Sequence, residues 1–171
     1  MTAVRALLLT LVLMAAVVLQ VAVFSAMSYD GVVPNLALLV VVAAALVRGP
    51  EFAACLGFLA GLAIDLAPPA DHVAGRWALA LVVVGYLAGR VRHDAGTSAL
   101  TAVLTVAACS FVGTSVFAFS GMLLHDPAIP VGEALRVIPV AVLYDVLLTP
   151  FVLPLLMRLF RRLQPHQVAY S

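Results

Sequence analysis

The sequence predicts an all-α integral membrane protein of six transmembrane helices. Three observations carry this. Of the 171 residues, 65% are hydrophobic and only 10% charged, and the mean hydropathy is +1.19, far outside the range of a soluble domain of this size. The apolar residues form long runs, and the short breaks between them hold most of the Arg, Asp, Gly and Pro. No segment alternates with the two-residue period of an outer-membrane strand, so helices are left as the way to satisfy the backbone in lipid.

The first run, 5–27, is longer than a secretory apolar region, and Ser25-Ala26-Met27 is a poor cleavage site. It is therefore an uncleaved span. The second and third, 34–47 and 51–67, are short for a hydrocarbon core of about 30 Å and call for tilt or local thinning. Between them Arg48-Gly49-Pro50-Glu51 fits a tight hairpin, with Pro50 and Glu51 suited to the first turn of the third helix. The fourth span is 74–90, the fifth 97–124 and the sixth 135–158, which makes 1–171 a single polytopic membrane domain. In the sixth, Pro150 and Pro154 interrupt Leu147–Leu156 and free backbone carbonyls. Such a break is either a packing kink or, as in transporters, the lining of a midplane substrate site.

Orientation follows from arginine, because the chain has no lysine. With six spans, Arg5, Arg48, Arg90, Arg92, Arg158, Arg161 and Arg162 fall on one side, and Arg76 and Arg136 on the other. The positive-inside rule then places both termini in the cytoplasm. Trp77, Tyr29 and Tyr86 suit interfacial anchors.

Several function classes lose their support at this level. The basic residues are dispersed, which argues against nucleic acid. Without lysine there is no Schiff base and no P-loop. The adjacent pairs Asp71-His72, His93-Asp94 and His125-Asp126 lie in loops and diverge, and no histidine stands at ligand spacing for a metal. No serine shows a partnered base, so neither catalysis nor a cofactor is expected. Cys55 and Cys109 fall within helices, where cysteine acts as a small apolar residue.

What remains are small residues and carboxylates inside apolar runs. Gly57, Gly61 and Asp65 follow at four-residue steps, each a rotation of only about 40°, so they share one helix face. Glycines at that spacing let another helix approach closely, and an ionisable group in lipid needs a partner. Asp65 also faces the negative end of its own helix dipole, which calls for a donor or cation nearby; Arg76 is the candidate. Asp65 is either half of a buried ion pair that fixes packing or a partner-binding or substrate residue. Asp145, about 10 Å in from Ile138 at 1.5 Å per residue, is a possible intramembrane polar site with no adjacent cation, and both readings stay open for it. Gly85 and Gly89 repeat the close-approach spacing and fit a contact within the monomer better than a dimer seam.

The order Pro34-Asn35-Leu36-Ala37-Leu38-Leu39, then Gly57-Phe58-x-x-Gly61-x-x-x-Asp65-Leu66, then Gly75-Arg76-x-Ala78-Leu79 and Gly85-Tyr86-Leu87, resembles the MreD family of bacterial rod shape-determining membrane proteins. The closing Pro150-Phe151-x-Leu153-x-Leu155-Leu156-Met157-Arg158 is similar to that family's last helix and basic end. The likeness covers nearly the whole chain. The loop Asp71-His72-Val73-Ala74 departs from it, as does Asp145. The resemblance implies a non-enzymatic scaffold or regulator of the cell-elongation machinery in the bacterial plasma membrane. Such a protein binds the bitopic protein MreC, and through it the MreB filament and the RodA–transpeptidase wall synthases. It also implies a fold like that of the S components of energy-coupling-factor vitamin transporters, and a substrate-binding S component is the alternative function. An S component needs a polar outward pocket, for which the outer loops, with Tyr29, Asp30, Asp71, His72, Arg76, His125, Asp126, Glu133 and Arg136, provide no aromatic cage. Docking of a bitopic helix suits the small-residue faces better: one glycine face buried inside, the other presented in the membrane.

Overall fold

The computed structural model describes residues 3–22, 32–68, 73–92, 98–124 and 131–163. Every regular element among them is an α-helix: α1 (Ala3–Ala22), α2 (Leu36–Arg48), α3 (Pro50–Asp65), α4 (Arg76–Arg90), α5 (Ala99–Leu123) and α6 (Val131–Arg162). The helices fall on the six expected apolar runs. Tyr29 and the His/Asp pairs of the loops lie outside the described residues.

Local chemistry sets the boundaries. Asn35 caps α2, its Oδ1 accepting from the Leu38 N–H at 2.9 Å. Gly49 ends α2 at φ +97°, a left-handed conformation that side chains disfavour, and Pro50 opens α3 immediately after it. The turn is the tight hairpin that Arg48-Gly49-Pro50-Glu51 predicts, with the Arg48 guanidinium 4.1 Å from the centroid of the Phe52 ring. Ser98 caps α5 through the Thr101 N–H at 3.1 Å.

Two helices, Ala99–Leu123 and Arg136–Arg162, are long and apolar enough to cross a membrane. The helices α2, α3 and α4 have 13, 16 and 15 residues, roughly 20–24 Å at 1.5 Å per residue.

Helix α2 is the centre of the bundle. It packs against all five other helices, and every residue from Leu36 to Ala45 is buried, most of them at 0% exposure. Around it, α3, α4, α5 and α6 follow one another, each against the next except for the α3 side, where α1 lies on α2 and α3. The outer faces are apolar. Leu7, Leu11, Met14 and Val18 of α1, Leu104, Phe111 and Phe119 of α5, and Leu143, Leu147, Phe151 and Leu155 of α6 are all exposed. Large apolar side chains exposed along several helices are more than soluble monomers usually carry.

Helix α6 carries its prolines within one continuous element. It runs unbroken from Val131 to Arg162 through Pro139, Pro150 and Pro154. The reason is its buried stripe, Ala141, Asp145, Thr149, Leu153, Leu156 and Phe160. At helical spacing this stripe holds both sides of Pro150 and Pro154 in one groove, and packing outweighs the lost hydrogen bonds. Because the helix starts at Val131, Asp145 stands near its midpoint rather than two turns from its end.

The glycines require a correction. A Cβ on Gly57 would strike the Leu81 carbonyl and one on Gly61 the Trp77–Ala78 main chain; on the other helix, Gly85 faces the Ala53 carbonyl and Gly89 faces Pro50. Both glycine pairs therefore belong to one antiparallel contact between α3 and α4, with backbone against backbone along its whole length. Neither face is presented outward, because each helix needs the other's glycines to come this close.

Candidate functional site

Two buried carboxylates organise the interior, and each sits at the start of another helix. The first, Asp65, ends α3 and is 2% exposed. Its Oδ2 accepts from the Gly75 N–H at 2.8 Å and the Ala78 N–H at 3.2 Å, and its Oδ1 from the Trp77 N–H at 3.2 Å. Gly75, in the left-handed region at φ +99°, has no side chain with which to cap α4. Asp65 supplies the cap from the preceding helix instead. Its unfavourable position at the C-terminus of α3 is offset by the positive N-terminus of α4. The close α3–α4 approach that Gly57 and Gly61 permit is what brings the carboxylate within reach of those amides. Three main-chain N–H groups thus answer the sequence-based need for a donor.

Arg76, the first residue of α4, is also 2% exposed. Its guanidinium donates to the Phe117 carbonyl from Nη2 at 2.8 Å and from Nε at 3.3 Å. The group lies 3.9 Å from the centroid of the Phe117 ring, and Trp77 stacks on the same ring at 4.5 Å. Trp77 is therefore half-buried in a packed cluster and not simply an interfacial anchor. A Cβ at Gly121 would run into the guanidinium, so Gly121 is the space that Arg76 occupies. Nothing in the pattern of α5 singled out Phe117, and Gly121 was legible only as another small residue one turn further on.

The second carboxylate, Asp145, is 1% exposed at mid-α6. Its Oδ1 accepts from the Asn35 N–H at 2.7 Å and its Oδ2 from the Ser110 hydroxyl at 2.6 Å. The Thr149 hydroxyl returns to the Asp145 carbonyl at 2.7 Å. Gln20 of α1 joins from the other side, its Oε1 accepting from the Ala37 N–H at 3.3 Å. The first turn of α2 is thereby capped by side chains from α1, α2 and α6, with α5 tied in through Ser110. Sequence reasoning passed over Gln20 and Ser110. Their signal was present, since each is a polar residue within an apolar run.

Of the other candidate residues, Pro34 is buried beside Asn35, Gly85 and Gly89 are buried in the α3–α4 contact, and Phe58 is 49% exposed on the outer side of α3. Tyr86 is exposed, with the Arg90 guanidinium 6.0 Å from its ring centroid. Between the C-terminal half of α4 and the N-terminal half of α5 lies a cleft of about 290 Å³. Its lining is apolar, with Leu87, Leu104 and Val112 among its walls, apart from Thr101, Thr105 and the buried Cys109. Among the described residues no three His, Cys, Asp or Glu side chains gather as a metal site. What the two carboxylate nodes do chemically is hold helix ends in place. No family model, no curated protein and no solved structure matches the chain.

Proposed function

We propose that this chain is a multi-pass protein of the bacterial plasma membrane, with both termini cytoplasmic, and a non-enzymatic MreD-like scaffold or regulator of the cell-elongation complex. The reading rests on one observation: the small and polar residues of the motifs that resemble the MreD family build the interior, while Phe58, Tyr86, Phe151 and Leu155 of the same motifs face outward. Pro34-Asn35 forms the buried head of α2. Gly57, Gly61 and Asp65 line the face of α3 that meets Gly75, Ala78 and Gly85 of α4. The apolar outer faces of α1, α5 and α6 support a bilayer as the surrounding solvent.

In this reading a bitopic MreC-like helix does not use the glycine faces, which are occupied within the chain. It docks on an outward apolar stripe such as Leu143–Leu147–Phe151–Leu155 of α6. The scaffold acts by holding its partner in the membrane beside the wall synthases, and the rigid α2-centred core fixes the geometry of that outer surface. Crosslinking in native membranes, followed by affinity purification and mass spectrometry, tests the reading. Recovery of an MreC-like bitopic protein with wall synthases supports it. Recovery of paired ATPase subunits with a coupling membrane protein overturns it in favour of an S component.

A further inference from the structure

The junction at the head of α2 contains one polar group left over. Asn35 is 5% exposed, and among the described residues its buried Nδ2 has no hydrogen-bond partner. The orientation of the amide is settled by its other end: Oδ1 accepts from the Leu38 N–H at 2.9 Å, so the two-donor nitrogen must point elsewhere. A buried donor of this kind requires an acceptor.

The surroundings define which acceptor. A cation is excluded by the two N–H donors of Nδ2, and an anion by the Asp145 carboxylate, which lies 2.7 Å from the Asn35 main-chain nitrogen. The ligand must be neutral, must accept from Nδ2, and must be small, because Gln20, Asn35 and Asp145 are all buried. It also has acceptors to donate to. Each Asp145 oxygen takes one of these bonds, from the Asn35 N–H or the Ser110 hydroxyl, and a carboxylate oxygen has capacity for two. Gln20 Oε1 accepts from Ala37 at 3.3 Å and likewise keeps a lone pair. One accepted and two donated hydrogen bonds are the usual complement of a buried water.

We propose that a single water molecule is a fixed component of this junction. It accepts from Asn35 Nδ2, donates to the Asp145 carboxylate and to Gln20 Oε1, and so ties α1 and α6 to the first turn of α2. The inference stands whether or not the chain binds an MreC-like partner.

Asn35 is the only asparagine in the sequence, so selective labelling of asparagine with 15N at the side chain gives one amide pair in the full-length protein. Water-to-amide magnetisation transfer, recorded in lipid nanodiscs, tests the site. The expected result is a strong cross-peak from a long-lived water to the Nδ2 protons, whose exchange with bulk deuterium oxide is slow. Absence of that cross-peak, or exchange as fast as in a free amide, overturns the proposal. In Gln20→Met, which keeps the apolar volume and removes the water's acceptor, the cross-peak should fall several-fold while the Asn35 signals remain in place. An undiminished cross-peak there refutes the assigned geometry. The wild-type measurement decides the question by itself where that variant does not fold.

Discussion

Gly61→Ala is the most direct test of how the interior is built, because it adds one methyl group where two backbones meet. The new Cβ would fall under 3.0 Å from the Trp77–Ala78 main chain, against 3.4 Å for ordinary contact. Backbone cannot rotate aside as a side-chain tip can, so α3 and α4 would have to part by about 1 Å. The Asp65 bonds to Trp77 and Ala78 are already 3.2 Å long, and that displacement carries them out of effective range. Overpacking costs about 1–3 kcal/mol, and weakening charge-assisted caps adds about 1.5 kcal/mol. The expected total is about 3 kcal/mol, read as a shift in the midpoint of detergent-denaturant unfolding followed by circular dichroism. Gly113→Ala is the control: there a Cβ meets only the Val84 Cγ2 at 3.1 Å and the Leu38 Cδ1 at 3.4 Å, side-chain methyls that need give by only a few tenths of an ångström, and the cost should stay at about 1 kcal/mol. Equal midpoints for Gly61→Ala and wild type would refute the reasoning, because the close contact would then not be where the stability lies.

Four further outcomes follow from the same geometry. Asp65→Asn keeps one acceptor but turns an NH2 group toward amides that the second oxygen now serves, and should cost about 1–3 kcal/mol in the same unfolding assay. Ser110→Ala and Asp145→Asn should each destabilise by about 1–3 kcal/mol, and a double-mutant cycle between them should show a coupling of about 0.5–3 kcal/mol. Gly121→Ala should drive the Arg76 guanidinium off the Phe117 carbonyl, lowering the melting temperature and altering the fluorescence of Trp77, the only tryptophan. Leu147→Arg, on the exposed stripe of α6, should reduce membrane insertion in a glycosylation-mapping assay by about 2.5–3.5 kcal/mol of apparent free energy if that face meets lipid.

Helix positions were legible because an apolar run bounded by Gly, Pro and Arg leaves little choice of element. The Arg48-Gly49-Pro50-Glu51 turn was read correctly to the residue. Spacing also placed Gly57, Gly61 and Asp65 on one face. It did not reveal that Gly85 and Gly89 face the same contact, since register between two helices depends on the length of the connection and on the partner's surface. Asp65 illustrates a second limit. A carboxylate at a helix C-terminus signals an electrostatic need, but a cationic side chain and a row of main-chain amides meet it equally well. The prolines of α6 show the same limit: propensity is local, while the buried stripe that carries the helix through Pro150 and Pro154 is tertiary.

The polar residues inside this bundle follow from the shortness of two helices. The hairpin at Gly49 and the antiparallel α3–α4 contact make α2 and α4 parallel, so their N-termini lie at the same end. With 13 and 15 residues, they are far shorter than the longest helices, of 25 and 32, and Asn35 and Arg76 at their starts are buried. An α-helix that begins in an apolar interior exposes N–H groups with no carbonyl to meet them. Side-chain acceptors answer those groups, most of them from neighbouring helices. For α4 the acceptor is Asp65; for α2 they are Asn35, Gln20 and Asp145. This explains why carboxylates and amides sit in apolar runs: they answer the positive end of a buried helix. It also explains why two of them are acids, since an ionised carboxylate accepts several N–H bonds at once and an amide oxygen accepts fewer. Lengthening α4 at its N-terminus, by inserting one helical turn before Arg76, should therefore carry its first amides away from Asp65. The unfolding midpoint should then become insensitive to Asp65→Asn, and continued sensitivity would show that Asp65 acts through some contact other than the helix end.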